Sequence, residues 1–409
     1  MTSLGKRTTM QPNVPKPQQH ANGFKAHLFP ILFLAAIFFL NFLSRIILAP
    51  LLPTIEQDLG ISHGEAGSLF LLISVGYFAA LLASGFVSAR ILHRRTIVIS
   101  AVSLGIALYF TAFSHGLFGM QTSLILVGMA AGLYLPSGIA SITHLVDARH
   151  WGKALAIHEV APNLAFVAAP LLAEFMLGWI SWRSVLIVLG SLTLVLSVAF
   201  SKFGRGGNFP GSAPGFGACK TLFKLPAFWI MTVLFMVGIS STMGIYTMLP
   251  LFLVTEHGMD RSLANELIGL SRVLSIAMAL LAGVVNDRLG PKRTLMIVLF
   301  LSGSMTILLG VVPGFWTILL VFLQPLMAVS FFPSAFALLS TVGPPDVRNI
   351  SVSLAVPAGF MFGGGVMPLL IGFMGDRGSF AGGIVIVGGL IMSGVLLAAF
   401  LKPNEENEG

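Results

Sequence analysis

Long apolar runs separated by short polar stretches are the dominant pattern of this 409-residue chain. Each run is about 20 residues long, the length that an α-helix needs to cross the hydrocarbon core of a bilayer. Twelve runs can be counted, at roughly 27–49, 66–88, 96–115, 119–142, 154–177, 183–200, 227–249, 264–286, 294–312, 316–339, 350–373 and 380–401. The pattern therefore predicts an all-α membrane protein with twelve transmembrane helices.

A Gly/Pro/Ser-rich stretch at 201–226 divides the runs into two sets of six. Its composition is typical of a flexible linker, and no other connection is long enough to join two separately packed halves. We therefore predict a disordered cytoplasmic N-terminal tail, a six-helix half, a cytoplasmic linker, a second six-helix half and a C-terminal tail. Their predicted bounds are 1–26, 27–200, 201–226, 227–401 and 402–409.

Composition supports a membrane protein and argues against several other classes. Apolar residues make up 56% of the chain and charged residues 9%, whereas soluble domains carry about 25% charged residues. The net charge of +8 is spread over short loops between apolar runs, so we expect no nucleic-acid partner. Cys219 is the single cysteine, which excludes an internal disulfide. Because no catalytic pair, metal-ligand spacing or phosphate-binding loop is found, we expect no enzyme activity, no metal and no cofactor.

The distribution of Lys and Arg orients the helices. Loops on the side of the N-terminus hold 18 of the 23 basic residues, and loops on the other side hold Arg183, Arg261 and Arg377. Cytoplasmic loops are enriched in Lys and Arg, so both termini are predicted to be cytoplasmic, in a bacterial inner membrane. The two remaining basic residues, Arg45 and Arg272, lie inside predicted helices.

Two related loops indicate an internal duplication. Residues 283–293 read GVVNDRLGPKR, and residues 85–95, which precede them by 198 positions, read GFVSARILHRR. Pro136-Ser137 and Pro333-Ser334 repeat at an offset of 197. Since each half has an even number of helices, the copies share one orientation, as in two halves related by a pseudo-twofold axis along the membrane normal.

The loop at 283–293 resembles the loop between helices 2 and 3 of the major facilitator superfamily, of the form G-x3-D-R-x-G-R/P-R/K-R/K. The matching residues are Gly283, Asp287, Arg288, Gly290, Lys292 and Arg293. The first copy retains Gly85, Arg90, Arg94 and Arg95, but has Ala89 for the aspartate and Leu92 for the second glycine. The resemblance implies a transporter that works by alternating access, with this loop as part of a gate. The alternative is a tight, soluble turn without a gating role.

Two arginines inside predicted helices are the main candidates for substrate binding. An arginine near the bilayer centre costs about 2.5–3.5 kcal/mol on insertion scales, which makes it a functional candidate. Arg45 and Arg272 belong to different halves and are predicted at similar depths, roughly 7–8 Å and 4–5 Å to the periplasmic side of their helix centres. Together they would clamp a carboxylate, phosphate or phosphonate. The alternatives are that one arginine snorkels outward or pairs with a buried acid.

Polar residues on other helices extend this hypothesis. Asn41 shares a helix face with Arg45, and Tyr134 and Tyr246 lie on helices 4 and 7, which border the centre in the family. Asn163 on helix 5 stands at a position that is polar in related transporters. The stretches NFLSRIILAPLLPTIEQ and EVAPNLAFVAAPLL also resemble organophosphate/phosphate antiporters and related organic-anion transporters, in which a helix-1 arginine holds the anion. The helix-7 arginine of those antiporters is absent, and Arg272 on helix 8 is similar in place to that of oxalate, nitrate and monocarboxylate carriers.

Glu159 and His158 are the candidates for proton coupling. Glu159 is the clearest acid within a predicted helix, and a histidine can titrate near neutral pH. Glu159 would take up a proton on one side of the membrane and release it on the other. The alternative is a structural carboxylate near the start of helix 5, paired with Arg149 or Lys153.

The sequence favours a monomeric secondary transporter of a small organic anion, working by proton symport or anion exchange. Its expected partners are an anionic small molecule, the lipid bilayer and protons. One alternative is a proton-coupled exporter of drugs or hydrophobic compounds, with Glu159 as the charge partner. Another is a sensor or assembly partner that has the transporter fold but moves no solute.

Overall fold

The computed structural model describes residues 24–212, 216–344 and 348–401. Twelve helical spans follow one another in this part of the chain, and no β-strand occurs in it. Numbered in chain order, they run over Phe24–Leu59, His63–Ile91, His93–Ala112, Leu117–Leu145, Ala148–Leu177, Trp182–Phe203, Pro226–Thr255, Arg261–Leu289, Pro291–Val311, Phe315–Leu339, Ile350–Asp376 and Phe380–Ala399. Eleven are each long and apolar enough to cross a membrane, and span 8 is the twelfth when its two bent parts are counted together. The prediction of an all-α fold with twelve membrane helices is confirmed.

Several spans extend beyond the predicted apolar runs because polar residues form their first turns. Span 2 begins at His63, directly after a capping box in which Ser62 and Glu65 satisfy each other's backbone N–H groups. Span 8 begins directly after Asp260, whose carboxylate accepts hydrogen bonds from two backbone N–H groups of its first turn. Such caps end the helices in water and leave their apolar middles to the bilayer.

Three spans are interrupted four residues before a proline. Proline lacks the backbone N–H that would bond to the carbonyl four residues earlier, so the helix bends or breaks there. Spans 1, 4 and 10 break after Ile46, Gly132 and Val329, ahead of Pro50, Pro136 and Pro333. The breaks in spans 4 and 10 are 197 residues apart, so the duplication extends to the shape of the helices.

Spans 7 and 11 each contain one π-helical turn, at Ser240–Gly244 and Phe362–Val366. Such turns are rare inside α-helices and change the direction of the backbone carbonyls. The two turns pack directly on each other: a Cβ at Gly363 would overlap the backbone of Ser240, and one at Gly244 would overlap the carbonyl of Gly363. Glycine is therefore needed where the π turn of span 7 packs on the π turn of span 11.

The bundle has two ends, which we call the terminal end, where Phe24 and Leu401 lie, and the opposite end. The halves contact each other through spans 2 and 11, 5 and 8, and 1 and 7. At the opposite end the backbones approach closely, because a Cβ at Gly67 would overlap the backbone of Pro368 and one at Gly372 would overlap the carbonyl of His63. Small residues thus allow the two halves to close there.

Two polar contacts join the halves at the opposite end. In the first, which we call the span 2 latch, the Asp376 carboxylate accepts hydrogen bonds from the hydroxyl of Ser62 at 2.9 Å and from the backbone N–H groups of His63 and Gly64 at 2.8 and 2.9 Å. A residue of span 11 therefore caps the N-terminus of a helix in the other half.

The second contact is an ion pair between spans 5 and 8. The Arg261 guanidinium donates to both carboxylate oxygens of Glu174, at 3.2 and 3.0 Å, and to the hydroxyl of Thr54 at 3.0 Å. This two-pronged geometry is the strong form of an arginine–carboxylate pair.

The cross-half contacts reach from the opposite end to the middle of the bundle. The deepest ring contacts join Tyr77 to Phe360, with ring centroids 5.9 Å apart, and Phe166 to Tyr246, at 4.8 Å. The hydrogen bonds and ring contacts between the halves are concentrated between this depth and the opposite end. The protein is therefore closed at the opposite end in this conformation.

The first part of the connection between the halves packs on the first half. The carbonyls of Phe209 and Gly207 accept hydrogen bonds from the N–H groups of His93 and Arg94, at 3.2 and 2.8 Å, at the start of span 3. A short helix, Phe216–Phe223, precedes span 7. The predicted tails fall largely on residues 1–23 and 402–409, which lie outside the described residues, and the domain bounds stay predictions.

Candidate functional site

Arg45 lies in a box of aromatic rings at the middle of the bundle. Its side chain is 5% exposed, and its guanidinium carbon lies 4.7 Å from the ring centre of Phe42, 4.2 Å from Tyr77 and 5.9 Å from Phe360. These rings come from spans 1, 2 and 11, and so from both halves. The Nε atom of Arg45 is buried without a hydrogen-bond partner. The rings attract the charge, but they leave this N–H donor unused.

Arg272 has a related environment in the other half. It is also 5% exposed, and its guanidinium carbon lies 4.9 Å from the ring centre of Phe166 and 4.8 Å from Tyr246. Its Nη2 donates a hydrogen bond of 3.3 Å to the carbonyl of Thr242, which belongs to the π turn of span 7. The irregular turn thus supplies a backbone acceptor for a buried cation.

The two arginine environments are connected by packed rings. Phe42, over which Arg45 lies, packs edge-on against Phe166, over which Arg272 lies, with ring centroids 5.2 Å apart. Among the described residues, neither arginine has a carboxylate within ion-pair distance; the ion pairs found there involve other basic residues. Both cations are therefore buried at the junction of the halves without an acidic partner. Neither pairing with a buried acid nor exposure of the side chain is observed for them.

The other predicted binding residues make contacts of different kinds. Tyr246 lies against Arg272 and donates a hydrogen bond of 3.3 Å to the carbonyl of Phe166 in the opposite half. The Asn41 amide donates to the carbonyl of Ala131 in span 4 at 3.1 Å. The Asn163 amide donates to the carbonyl of Glu159 within span 5 at 3.0 Å. The structure thus places Tyr246 beside an arginine, while the amide donors of the two asparagines are used by the backbone.

His158 is fully buried and its two ring nitrogens have different partners. Nε2 lies 3.2 Å from the Tyr134 hydroxyl, which donates to the carbonyl of Leu34 at 2.6 Å. Nδ1 lies 3.3 Å from the Glu159 carboxylate, whose side chain is 54% exposed. The imidazole also stacks on Phe38 with ring centroids 4.4 Å apart. Tyr134 therefore serves to hold His158 and span 1, and it does not contact either arginine in the described contacts.

The predicted alternative for Glu159 was an ion pair with a basic residue near the start of span 5. Arg149 instead lies 3.5 Å from the carboxylate of Asp147, and the partner of Glu159 is the neighbouring imidazole.

The two related loops have the same backbone geometry although their residues differ. Gly290, between spans 8 and 9, has φ 81° and ψ 152°. Leu92, 198 residues earlier, has φ 72° and ψ 152°. Positive φ suits glycine, and a leucine in this region of backbone space is strained. The first loop therefore keeps the shape of the second without its glycine.

The loops also make the same contact with the last span of their own half. Lys292 Nζ donates to the carbonyl of Ala399 at 2.8 Å, at the end of span 12. Arg94 Nη2 donates to the carbonyl of Ser201 at 3.0 Å, at the end of span 6. A cation at a helix C-terminus satisfies carbonyls that have no partner within the helix. The two donors are 198 residues apart in the chain, and so are the two acceptors. The same contact is therefore present in both copies of the repeat.

The remaining residues of the predicted gate lie at the terminal end of the bundle. Asp287, Arg288, Arg293 and Arg90 are exposed, and Gly283 and Gly85 are half-buried. Within the described ranges, the Asp287 carboxylate makes no hydrogen bond or ion pair. It is therefore not engaged with another helix in this conformation, and the gating role of the loop stays a prediction.

The aromatic rings around the two arginines are the part of the site that the sequence did not reveal. Phe42 lies one helical turn before Arg45, so its proximity follows from spacing alone. Tyr77, Phe166 and Phe360 come from three other spans, and nothing local in their sequence distinguishes them from the other aromatic residues of an apolar helix. Their role depends on how the halves pack.

Two six-span halves with a parallel repeat, joined around buried arginines that have no acidic partner, are typical of two-domain membrane transporters. The family model described as Major Facilitator Superfamily matches residues 34–281 and 241–409, and the chain belongs to this superfamily. The protein is accordingly a secondary transporter of a small molecule and not an enzyme.

Known relatives carry different substrates according to their names. A probable sulfoacetate transporter of Cupriavidus necator is 24% identical over 90% of this chain and 92% of its own length. A probable L-galactonate transporter of Escherichia coli is 23% identical over 92% and 89%. A multidrug resistance protein of Klebsiella pneumoniae is 24% identical over 63% and 67%. Among solved structures, an inward-facing, unoccupied bacterial homologue of the human lysosomal transporter Spinster has a TM-score of 0.76 at 14% identity, covering 92% of this chain and 96% of that one.

Proposed function

We propose that the protein transports a small organic anion of the carboxylate, phosphate or phosphonate type, as a monomer. The observation that carries the proposal is the pair Arg45 and Arg272, each 5% exposed and each without a carboxylate partner in the described structure. Buried charges are costly unless paired, and an anionic substrate would supply the missing partner for both. The unused Nε donor of Arg45 is the kind of group that such a ligand satisfies.

Two relatives with anionic substrates in their names support this class. Sulfoacetate and galactonate both carry a carboxylate, and a guanidinium binds that group through two parallel hydrogen bonds. The placement of the arginines favours alternating access, because they approach the same aromatic cluster from opposite halves. A movement of one half relative to the other would change both environments together.

We further propose that the terminal end faces the cytoplasm, with both termini there, in a bacterial inner membrane. The basis is the excess of Lys and Arg in the loops of that end. With this orientation, closure at the opposite end corresponds to an inward-facing state. Impermeant labelling of single cysteines introduced at loop positions in whole cells and in inverted vesicles tests it; labelling of the Gly283–Arg293 loop from outside would refute it.

The arginine proposal is tested by uptake into proteoliposomes and by ligand-induced thermal shifts of purified protein. We expect Arg45→Ala and Arg272→Ala each to weaken anion binding by roughly 30-fold or more, the loss typical when one partner of a buried charge pair is removed. Arg377→Ala is the matched control, since Arg377 also lies over a ring, that of Phe373 at 4.0 Å, but is exposed at the opposite end. Unchanged anion binding in both test variants would disprove the proposal.

Coupling to protons is proposed at the pair His158 and Glu159. The single hydrogen of the Tyr134 hydroxyl is donated to the carbonyl of Leu34, so the contact with His158 requires a proton on Nε2. The contact between Nδ1 and Glu159 then needs one further proton, carried by either group. Loss of that proton leaves a carboxylate facing a lone pair. This favours the pair as a unit that gains or loses one proton per cycle.

Two variants separate coupling from binding. Glu159→Gln should abolish accumulation driven by a pH gradient while preserving exchange of substrate across the membrane, because exchange needs no net proton movement. Glu266→Gln, at an exposed acid on span 8, is the control. Gradient-driven accumulation by Glu159→Gln at the wild-type level would remove this pair from the mechanism.

A second candidate function is proton-coupled export of cationic or hydrophobic compounds. The observation that favours it is the exposure of Glu159, at 54%, which leaves a carboxylate available to a cation. Efflux of cationic dyes from cells that overproduce the protein, lost in Glu159→Gln and retained in the two arginine variants, would support this function over anion transport.

A further inference from the structure

The groups that surround the two arginines are mainly aromatic. Within 6 Å of the two guanidinium carbons lie five ring centres, those of Phe42, Tyr77, Phe360, Phe166 and Tyr246. Phe42 packs on Phe166 and Phe166 packs on Tyr246, so packed rings lead from one arginine to the other, and Tyr77 packs on Phe360 beside Arg45. A ligand held by either arginine would have these rings as its neighbours.

Three polar side chains in or near the Arg272 environment already donate hydrogen bonds within the protein. The Thr242 hydroxyl donates to the carbonyl of Ile239 at 3.2 Å, and the Tyr246 hydroxyl donates to the carbonyl of Phe166. The Gln324 amide donates to the carbonyl of Ser241 at 2.9 Å. Hydroxyl groups on a ligand would meet few free partners here, and unpaired polar groups are costly to bury.

We propose that the transported anion has an apolar, ring-sized body, as in an aryl monocarboxylate, and is not a polyhydroxylated sugar acid. The carboxylate takes the free donors in the guanidinium plane, and the body packs on the rings of Phe42, Phe166 and Phe360. This proposal rests on the proposed function, since it presupposes an anion between the arginines. The proposal defines the substrate class more narrowly than the names of the relatives do, since one of those names refers to a sugar acid.

The first test uses the wild-type chain and needs no variant. Dissociation constants of the purified full-length protein are measured by calorimetry for benzoate, cyclohexanecarboxylate, acetate and D-galactonate. We expect benzoate and cyclohexanecarboxylate to bind at least about tenfold more tightly than D-galactonate, because an apolar site penalises buried hydroxyl groups. D-galactonate binding as tightly as benzoate would overturn the proposal while leaving anion transport intact. Absence of binding by all four carboxylates, and also by inorganic phosphate and methylphosphonate, would overturn the proposed function itself.

The second test asks whether the rings select the body of the ligand. Phe360→Leu should weaken benzoate binding by about threefold to tenfold, the range of one aromatic contact, and should weaken acetate binding by a clearly smaller factor. Phe110→Leu, at a phenylalanine that is 57% exposed in span 3, is the control. Equal losses for benzoate and acetate in Phe360→Leu would indicate a purely structural role and would contradict the proposal.

Discussion

The span 2 latch provides a prediction whose size follows from its geometry. Asp376 belongs to the second half, yet its carboxylate accepts three hydrogen bonds of 2.8–2.9 Å from the first turn of span 2 in the first half. These bonds exist only while the opposite end is closed. Asp376→Ala removes them in the closed state and has nothing to remove in the open state. The variant should therefore shift the protein towards opening at that end.

The magnitude can be worked from the contacts. A hydrogen bond to a charged group contributes about 1.5–3 kcal/mol when protected from water, and exposure reduces this considerably. Because Asp376 is exposed, we assign about 2 kcal/mol to the three bonds together. This corresponds to roughly a 30-fold change in the ratio of closed to open molecules.

The assay is the alkylation rate of a cysteine that is accessible only when the opposite end opens. Ser74 is buried and packs against Gly365 across the interface of the halves, so Ser74→Cys in a Cys219→Ser background is a suitable reporter. Adding Asp376→Ala should raise the rate of reaction with an impermeant maleimide by roughly 30-fold, provided that opening is a rapid pre-equilibrium.

A matched control is available at the same end of the bundle. Asp260 also caps a helix N-terminus with its carboxylate, but the helix, span 8, is its own. Asp260→Ala should lower stability modestly without changing the alkylation rate, because it removes a contact present in both conformations. Equal rates in the two aspartate variants would refute the reasoning that the latch acts across the halves.

Two further predictions concern packing and the loops. Gly372→Ala should also raise the alkylation rate, because the added Cβ would overlap the His63 carbonyl only in the closed state. Gly389→Ala is the control and should have no effect, since there is open space around Gly389. Slower alkylation in Gly372→Ala would contradict the close packing. Lys292→Met should lower the free energy of unfolding by about 0.5–1 kcal/mol, which is the contribution of a cation at a helix C-terminus. Thermal denaturation in detergent at low salt measures this difference, and we expect high salt to abolish it.

The sequence predicted those features that depend on one helix at a time. The apolar runs predicted the twelve spans, and Pro136 and Pro333 fall where the equivalent breaks occur. Residue counts also placed Arg45 and Arg272 inside helical spans, as the structure has them. These properties need no knowledge of which helices are neighbours.

The features that could not be predicted depend on contacts between distant spans. The box around Arg45 joins spans 1, 2 and 11, and the latch joins Asp376 to residues more than 300 positions earlier in the chain. Tyr134 was expected in the substrate site, but its hydroxyl is used by Leu34 and His158. A single helix does not determine which of its faces turns towards the other half.

Leu92 has a consequence for how the duplication can be recognised. By residue type, the loop at 85–95 has lost two of the family's defining positions, and the glycine equivalent to Gly290 is one of them. By backbone torsion, Leu92 and Gly290 are nearly identical. The backbone conformation of the two loops is therefore more similar than their residue types. A comparison of the two halves by torsion angle would therefore align these two positions, where a comparison by residue type would count a mismatch.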